Sequence, residues 1–301
     1  MVNTVKRKVK LSYDDTIFNF IVYFVLSFLL LLVLYPLVYI MSSSFSSPNA
    51  VAAGKVVLWP VDLSVEGYKA VFTNRMIGIG YMNSIINTSI GTLINIVFTM
   101  LVAYPLACTR LPGKNLIMVL FTFTMLFSGG MIPDYILLRN LGMLNTRLAL
   151  LLPGAIATYN MIITRTFISS SIPEELREAA DMDGCSDFQY LISVILPLSK
   201  PVIAVITLYY AVAHWNSYFN AFLYITNRNL MPLQIVLRDI LIANTIDPAS
   251  TVDPELMAAR QGMADLLKFA LIIVSSLPVM MIYPFIQKYF IQGVMIGSLK
   301  G

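Results

Sequence analysis

Charged residues are scarce in this sequence, and their scarcity excludes an ordinary soluble protein. Of the 301 residues, 12% are charged and 58% are hydrophobic, whereas soluble domains have about 25% charged residues and about half apolar ones. The sequence therefore predicts an all-α integral membrane protein, whose helices satisfy their own backbone hydrogen bonds in lipid.

Histidine and cysteine are almost absent, which argues against metal sites and nucleophilic catalysis. His214 is the only histidine and has no cysteine or carboxylate at metal-ligand spacing, so we expect an interior imidazole held by a hydrogen bond. No G-x-S-x-G turn is present, and an intramembrane hydrolase has almost no support. Cys108 and Cys185 fall on the cytoplasmic side of the topology derived below, so we expect two free thiols and no disulfide.

The sequence also lacks a nucleotide-binding motif and the intramembrane charged residues with which ion-driven transporters bind protons or sodium. A phosphate-binding loop needs G-x4-G-K-S/T, but the only Gly-Lys pair, Gly113-Lys114, is followed by Asn115. The chain is therefore not expected to be an enzyme. No charged residue falls deep within a predicted span, which disfavours an ion-coupled secondary transporter. No aromatic-basic platform or finger motif indicates a nucleic-acid partner.

Six long runs without charge are what the sequence does contain. Each is long enough to supply the roughly 20 apolar helical residues that cross a bilayer core of about 30 Å, and no other uncharged run is. Trimmed at polar and proline clusters, they predict transmembrane helices at 17–41, 81–107, 115–133, 146–168, 201–226 and 266–290.

Basic residues before the first run determine the predicted orientation. Lys6, Arg7, Lys8 and Lys10 precede it and only Lys55 follows closely, so the positive-inside rule places the N-terminus in the cytoplasm. Six crossings return the C-terminus to the same side. The predicted organisation is a cytoplasmic segment at 1–16, a single six-span domain at 17–290 and a cytoplasmic tail at 291–301, with external loops at about 42–79 and 227–265. The first apolar stretch is about twice the length of a signal-peptide core, so no cleaved signal is expected.

The external loops contain two recognisable features. Ser64 precedes the stretch from Val65 to Phe72, which predicts a short surface helix with a serine cap. The segment at 247–255 has two prolines and no apolar anchor, so we expect it to be the most mobile part of the second loop.

A cluster of charged residues between the fourth and fifth predicted spans interrupts the apolar pattern. Ser171 and Glu174 form a capping box and Gly184 is a natural stop, which predicts a cytoplasmic surface helix at about 172–184. One side of this helix has a stripe of mostly small residues, formed by Leu176, Ala179, Ala180 and Asp183. This pattern of charged and small residues is compatible with two interpretations: a solvated loop helix, or a docking element for another protein.

The same segment resembles a known family motif. Glu178-Ala179-Ala180, three residues, Gly184, nine residues and Val194-Ile195-Leu196-Pro197 closely resemble the EAA loop of ATP-binding-cassette importer permeases, with Val194 in place of isoleucine. Further stretches are similar to the maltose-permease-like second permease subunit of carbohydrate importers, in the branch that serves larger oligosaccharides. They are FSGGMIPDYILLRNLGMLNTRLALLLPGA from Phe127, LPLSKPVIAV from Leu196, WNSYFNAFLYI from Trp215, PLQIVLRDIL from Pro232 and the terminal GVMIGSLKG. Leu148 and Cys185 depart from that branch, which often has tryptophan and alanine there.

The resemblance implies a fold and a mechanism. The fold is that of a type I importer permease, with six transmembrane helices and a cytoplasmic coupling helix that sits in a groove of the ATPase subunit. The function is import of oligosaccharides across the bacterial cytoplasmic membrane by alternating access. The coupling residues that the resemblance implies are Glu178, Ala179, Ala180, Asp183, Gly184, Leu196 and Pro197. A subunit of an amino-acid or peptide importer is the alternative within the same superfamily.

The resemblance also implies partners. They are a homologous second permease subunit, two ATP-binding subunits and an extracellular or periplasmic sugar-binding protein. ATP and Mg²⁺ are used by the ATP-binding subunits, and this chain is expected to bind no cofactor itself.

Aromatic and amide side chains predict a path for sugar. Aromatic rings bind the C–H faces of sugars, and amides bind their hydroxyl groups. The predicted lining residues are Tyr209, Trp215, Asn216, Tyr218 and Asn220 in the fifth span and Asn87 in the second. Helical spacing places Tyr209, Asn216 and Asn220 on one face. Asn87 belongs to a polar stripe with Ser84, Thr88, Gly91 and Asn95, for which packing between helices is the favoured interpretation.

Overall fold

The computed structural model describes residues 13–108, 111–243 and 254–298, and gives the backbone alone at residues 14, 243, 254–260, 283 and 285–298. Every regular element in these residues is helical, as the composition predicts. The α-helices are α1 (Tyr13–Ser44), α2 (Pro48–Ala52), α3 (Glu66–Thr73), α4 (Arg75–Ala107), α5 (Lys114–Leu126), α6 (Met131–Asn140), α7 (Leu148–Leu151), α8 (Thr158–Ser171), α9 (Glu175–Met182), α10 (Asp187–Tyr190), α11 (Leu196–Leu198), α12 (Lys200–Trp215), α13 (Phe219–Tyr224), α14 (Leu233–Ala243) and α15 (Pro254–Ser298). A π-helical stretch, Leu191–Ile195, joins α10 to α11, and a 3-10 turn spans Arg228–Leu230.

Three helical segments are long and apolar enough to cross a membrane. They are Asp15–Ser44, Arg75–Ala107 and Gln261–Ile282. Two bent pairs meet the same test when each is taken as one span: α5 with α6, bent by 110°, and Asp187–Leu198 with α12, bent by 82°. The described residues thus contain three to five candidate spans by length and composition, whereas the sequence predicts six.

Two of the predicted spans are broken at a proline or a glycine, and a third, at 201–226, is interrupted at Asn216. The span at 146–168 is divided into α7 and α8, because Pro153 has no amide hydrogen for a helical bond and Gly154 follows it. The span at 115–133 is divided at Gly130, whose φ of 91° is accessible to glycine at little cost. The prediction of an unbroken helix was wrong in all three places.

The first and last helices extend beyond their predicted ends. α1 already begins at Tyr13, while Lys6, Arg7, Lys8 and Lys10 lie outside the described residues. α15 begins inside the predicted external loop and continues through position 298 of the predicted tail, and α14 also lies in that loop. Most of the segment predicted to be mobile, at 247–255, falls outside the described residues.

The described residues form two compact units, and the first comprises residues 13–71 and 254–274. In this unit α1 exposes large apolar side chains along most of its length, as expected of a helix that faces lipid. Beyond α1, the Ser46 hydroxyl donates to the Ser42 carbonyl at 2.7 Å and accepts from the Val61 amide at 3.1 Å. The predicted surface helix is confirmed as α3, where the Glu66 amide donates to Ser64 Oγ at 3.2 Å.

The second unit comprises residues 72–108, 111–243 and 275–298, with α4 at its centre. Helices α8, α12 and α14 pack against α4. The C-terminal end of α4 joins a core with α8, α10 and the π-helical stretch, called the inner core here and formed by Met100, Ala103, Tyr104, Leu106, Met161, Ile168, Tyr190, Leu191 and Ile195. The residues that follow the charged segment are therefore anchored on the same core as the end of α4.

Polar side chains on α4 fasten its neighbours by hydrogen bonds. Ser84 Oγ accepts from the Leu233 amide at 2.9 Å. Asn95 donates to the Gly154 carbonyl at 2.5 Å, and its Oδ1 pairs with His214 Nε2 at 2.6 Å. Both Ser84 and Asn95 are buried. The packing interpretation of the stripe is confirmed at these two residues, as is the hydrogen-bonded imidazole predicted for His214.

Candidate coupling site and substrate path

The charged segment forms α9, but this helix starts differently from the prediction. Ser171 is the last residue of α8. Ile172 is extended, with φ −108° and ψ 112°, because the following Pro173 disfavours a helical conformation at that position. The helix resumes after the proline, where the Glu178 amide donates to the Glu174 carbonyl at 3.1 Å. The predicted capping box of Ser171 and Glu174 was therefore wrong.

Gly184 ends α9, as the sequence predicts. Its φ is 72°, a left-handed conformation that glycine adopts without a steric penalty. Its amide donates to the Asp181 carbonyl at 3.1 Å and the Cys185 amide donates to the Ala180 carbonyl at 2.9 Å, which together form a Schellman motif. A Cβ at position 184 would meet no atom within 4 Å. Among the described residues nothing crowds this position, so the glycine is required by its backbone conformation.

The predicted coupling residues divide into an exposed group and a group that faces the inner core. The exposed group is Glu178, Ala179, Asp183, Gly184 and Pro197. Ala180 and Leu196 are half-buried and pack against the inner core. Met182, which lies among the exposed group, is 90% exposed. The outer side of α9 thus offers charges and an apolar side chain that the described part of this chain leaves uncovered.

Arg177 is a residue of this site that sequence reasoning missed. Its side chain is only 18% exposed. Its guanidinium donates to the Tyr104 hydroxyl at 2.8 Å and forms ion pairs with Asp181 at 2.9 Å and Asp187 at 2.7 Å. It also lies over the Tyr190 ring, 5.0 Å from the ring centroid. The i, i+4 spacing to Asp181 was visible in the sequence, but the contacts to the other three residues depend on the fold.

A cavity of about 490 Å³ lies beside α9. The end of α8, the link from α8 to α9 and the C-terminal end of α4 bound it, and its lining includes Ser170, Pro173 and Cys108. Cys108 and Cys185 are free thiols. Burial raises the pKa of the Cys108 thiol, so this thiol stays protonated at neutral pH.

The predicted sugar-path residues of the fifth span fall on α12, on α13 and on the turn between these helices. Helix α12 ends before Asn216, so the span predicted at 201–226 is interrupted there. Asparagine and serine favour helix ends because their side chains hydrogen-bond locally, and Ser217 follows Asn216 at this break. The spacing that placed Tyr209, Asn216 and Asn220 on one helical face was therefore wrong.

These residues also differ in their exposure. Four are exposed or half-buried: Tyr209, Asn216, Tyr218 and Asn220. Trp215 is buried, and its indole N–H donates to the Ser275 carbonyl at 3.0 Å. Trp215 therefore packs within its own unit, while a role of the exposed amides in sugar binding stays a prediction.

Asn87 is bound by Arg147, a residue to which the sequence assigned no role. Arg147 is half-buried and donates to Asn87 Oδ1 at 3.0 Å and to Asn83 Oδ1 at 2.7 Å. Both asparagines are buried. Among the described residues no carboxylate lies within 4.0 Å of Arg147, and Asn87 Nδ2 has no hydrogen-bond partner. The described residues therefore place the positive charge of Arg147 beside the amide donor of Asn87 on α4, with no carboxylate near either.

The chain resembles known transport proteins along nearly its whole length. The family model described as "Binding-protein-dependent transport system inner membrane component" matches residues 15–296. The polygalacturonan/rhamnogalacturonan transport system permease protein YtcP of Bacillus subtilis is 38% identical over 288 residues, which cover 95% of this chain and 99% of that protein. Protein LplC of the same organism is 41% identical over 276 residues, covering 88% of this chain and 89% of that protein.

A solved structure has the same fold. It is described as a bacterial ABC transporter involved in the import of the acidic polysaccharide alginate, and the matching chain is 34% identical to this one with a TM-score of 0.84. The match covers 94% of this chain and 100% of that chain. The arrangement of helices is therefore that of an ABC importer chain.

Proposed function

Because the chain belongs to the family of binding-protein-dependent transport system inner membrane components, we propose that it is the permease subunit of an ATP-driven importer of oligosaccharides. The family match over residues 15–296 carries the importer assignment, and the relatives named for polygalacturonan and alginate transport carry the sugar. The chain has no nucleotide-binding loop, so hydrolysis of ATP with Mg²⁺ belongs to two separate ATP-binding subunits. A homologous second permease subunit completes the path, and an external binding protein delivers the sugar.

The proposed topology has six crossings of the bacterial cytoplasmic membrane, with both chain termini in the cytoplasm. In this arrangement α1, α4 and α15 each contain one span, and α5 with α6 forms the third crossing. The fourth crossing is formed by α7 and α8, which lie on either side of the break at Pro153, and the fifth by α12 and α13. Broken helices of this kind are tolerated in membranes where protein or a water-filled cavity surrounds the unpaired backbone groups.

Helix α9 is the proposed coupling helix. Its exposed residues Glu178 and Ala179, together with Asp183 and Gly184 just beyond its end and Pro197 on α11, would contact a groove on an ATP-binding subunit. Exposure of these residues and of Met182 supports the assignment, because uncovered apolar side chains among charged ones are typical of binding surfaces. When the ATP-binding subunits close on ATP, they would bind α9 differently, and that difference would shift the permease between its two states.

The proposed substrate is an oligosaccharide with carboxylate groups. The YtcP relative is named for polygalacturonan and rhamnogalacturonan, and the matching structure for alginate, which its description calls acidic. Arg147 supports an anionic substrate from within this chain, because a guanidinium binds a carboxylate with two parallel hydrogen bonds. Asn216 and Asn220 are the amides proposed to line the path.

The proposed function is tested with the complete importer. The chain is co-expressed with its second permease subunit, its ATP-binding subunit and its binding protein, and ATP hydrolysis is measured in lipid vesicles. Oligogalacturonates, alginate oligosaccharides, neutral maltooligosaccharides and short peptides are compared. Stimulation by a sugar-loaded binding protein supports the proposal. Stimulation by peptides alone, or uptake that follows a proton or sodium gradient without ATP, would contradict it.

Replacing Arg147 with glutamine tests the preference for acidic sugars. Hydrogen bonds to charged groups contribute about 1.5–3 kcal/mol, so we expect stimulation by acidic oligosaccharides to require at least about tenfold more of the loaded binding protein. The response to any neutral sugar that is transported should not change. Glutamine can still donate to Asn83 or Asn87, and Arg139→Gln, on an exposed residue of α6, is the matched control. An equal loss for acidic and neutral sugars would show that Arg147 only supports the fold.

A further inference from the structure

We propose that Arg177 is a positioning residue that fastens the coupling helix to α4 and α10, so that a displacement of α9 moves these helices with it. This inference rests on the proposed function, since it concerns how the coupling helix transmits its movement. The group is called the Arg177 cluster here and consists of Arg177, Tyr104, Asp187 and Tyr190.

The contacts of the cluster join three separate helices. Arg177 belongs to α9, Tyr104 lies near the C-terminal end of α4, and Asp187 and Tyr190 are the first and last residues of α10. One guanidinium therefore donates a hydrogen bond of 2.8 Å to α4 and forms an ion pair of 2.7 Å and a ring contact with α10. The rings of Tyr104 and Tyr190 also contact each other, with centroids 6.2 Å apart. These contacts join the helices directly, in addition to the backbone segments that connect them along the chain.

The Arg177 cluster is partly buried, so solvent weakens its contacts less than it weakens those of a surface ion pair. Tyr104 and Tyr190 are buried, and both belong to the inner core. Burial disfavours the charged form of Arg177, but Tyr104, Asp187 and Asp181 raise its pKa overall, so the guanidinium keeps its charge. The Asp187 side chain is 80% exposed and its ion pair is weakened by solvent. The Tyr104 hydrogen bond and the Tyr190 ring are therefore the stronger parts of the attachment.

The start of α9 is also joined to α8, by the link Ile172–Glu174, whose Ile172 packs against the inner core. This link and the Arg177 cluster both line the cavity of about 490 Å³. A void cannot transmit a displacement, whereas groups in contact can. A push on α9 is therefore expected to reach α4 and α10 through the contacts of Arg177 at the edge of this cavity. Helix α4 is the central helix of its unit and packs on α12, so movement of α4 would reach the predicted sugar path.

The test compares coupling with stability in the complete importer in lipid vesicles. The variants are Arg177→Met, Arg177→Lys, Tyr104→Phe and Asp187→Asn, with Arg139→Met as a control for the loss of an exposed arginine. Three quantities are measured for each: ATP hydrolysis without binding protein, its stimulation by sugar-loaded binding protein, and the thermal midpoint of the assembled complex. Coupling between two sites of a protein typically changes the affinity at one of them 5- to 150-fold when the other is occupied. We expect Arg177→Met to lower the stimulation about tenfold while hydrolysis without binding protein continues.

The other variants separate positioning from folding. Tyr104→Phe removes the hydroxyl that Arg177 contacts and keeps the ring, so it should lower stimulation by a smaller factor and lower the thermal midpoint less than Arg177→Met does. Arg177→Lys keeps the charge and should restore part of the stimulation lost in Arg177→Met, and Asp187→Asn should have the smallest effect. Wild-type stimulation in Arg177→Met would overturn the proposal. So would a fall in stimulation that only follows the thermal midpoint across the whole series, including Tyr104→Phe. Absence of stimulation in the wild type would instead contradict the proposed function.

Discussion

Replacing Gly91 with alanine is expected to prevent most of the chain from reaching the assembled importer. Gly91 is buried on α4, and a Cβ built there lies 2.5 Å from both Cε1 and Nε2 of His214. The imidazole cannot simply move away, because Nε2 is paired with Asn95 Oδ1 at 2.6 Å. One added methyl group therefore forces α4 and α12 apart or breaks that hydrogen bond. Overpacking alone costs about 1–3 kcal/mol, and an unpaired buried amide costs about 1–3 kcal/mol more.

The same helix offers a matched control for Gly91. Gly78 also lies on α4, and a Cβ there would meet no atom within 4 Å. Gly78→Ala should leave the yield of assembled complex unchanged, because alanine is the better helix former. The double variant Gly91→Ala with His214→Ala removes the overlapping ring and should recover part of the yield. The quantity to measure is the amount of chain that copurifies with its partners. Normal yield of Gly91→Ala would contradict the packing of α4 on α12 described above.

The second large effect is expected at Gly184. Gly184→Val should reduce stimulation of ATP hydrolysis by the loaded binding protein at least tenfold, because the residue has φ 72° and valine is strained in that conformation. A left-handed residue other than glycine costs about 1–2 kcal/mol, and the Schellman motif that ends α9 would reorganise. Gly184 is exposed, and a Cβ there would meet no atom of the described residues within 4 Å, so the fold elsewhere should be retained.

Asparagine at the same position is the control for backbone strain. Asparagine visits the left-handed region more readily than other residues, so Gly184→Asn should keep much more of the stimulation than Gly184→Val does. Glu178→Lys tests the surface itself: it reverses one exposed charge on α9, leaves the Schellman motif intact, and should weaken association with the ATP-binding subunit. If Gly184→Val and Glu178→Lys both retain full stimulation, α9 is a solvated loop helix and not a coupling element.

The parts of this structure that the sequence predicted are those with local causes. The scarcity of charge predicted helices in a membrane, and α1 and α4 match two of the apolar runs. Gly184 was identified as a stop because only glycine adopts its conformation without strain. The spacing of the EAA-like motif located the exposed group, which lies on α9, on the turn that ends it and on α11. Each of these inferences needed only a window of neighbouring residues.

Other parts of the structure could not be predicted, because they depend on contacts between residues that are far apart in the sequence. Arg177 resembles any other residue of a charged helix until the fold places Tyr104, 73 residues away in sequence, against it. Arg147 was passed over because its two asparagine partners lie on a different helix. The break in the predicted fifth span at Asn216 has no proline or glycine to announce it. Its weak local signal, an asparagine followed by a serine, is common inside helices that do continue.

The central claim is that α9 contacts an ATP-binding subunit, and photo-crosslinking tests it most directly. A benzophenone amino acid replaces Ala179, which is exposed on α9, or Trp59, which is 81% exposed in the predicted external loop, in the co-expressed importer. On illumination, the probe at position 179 is expected to form an adduct with the combined mass of this chain and an ATP-binding subunit, and the probe at position 59 is not. An importer that copurifies intact but gives no such adduct from position 179, or gives it equally from position 59, would contradict the account.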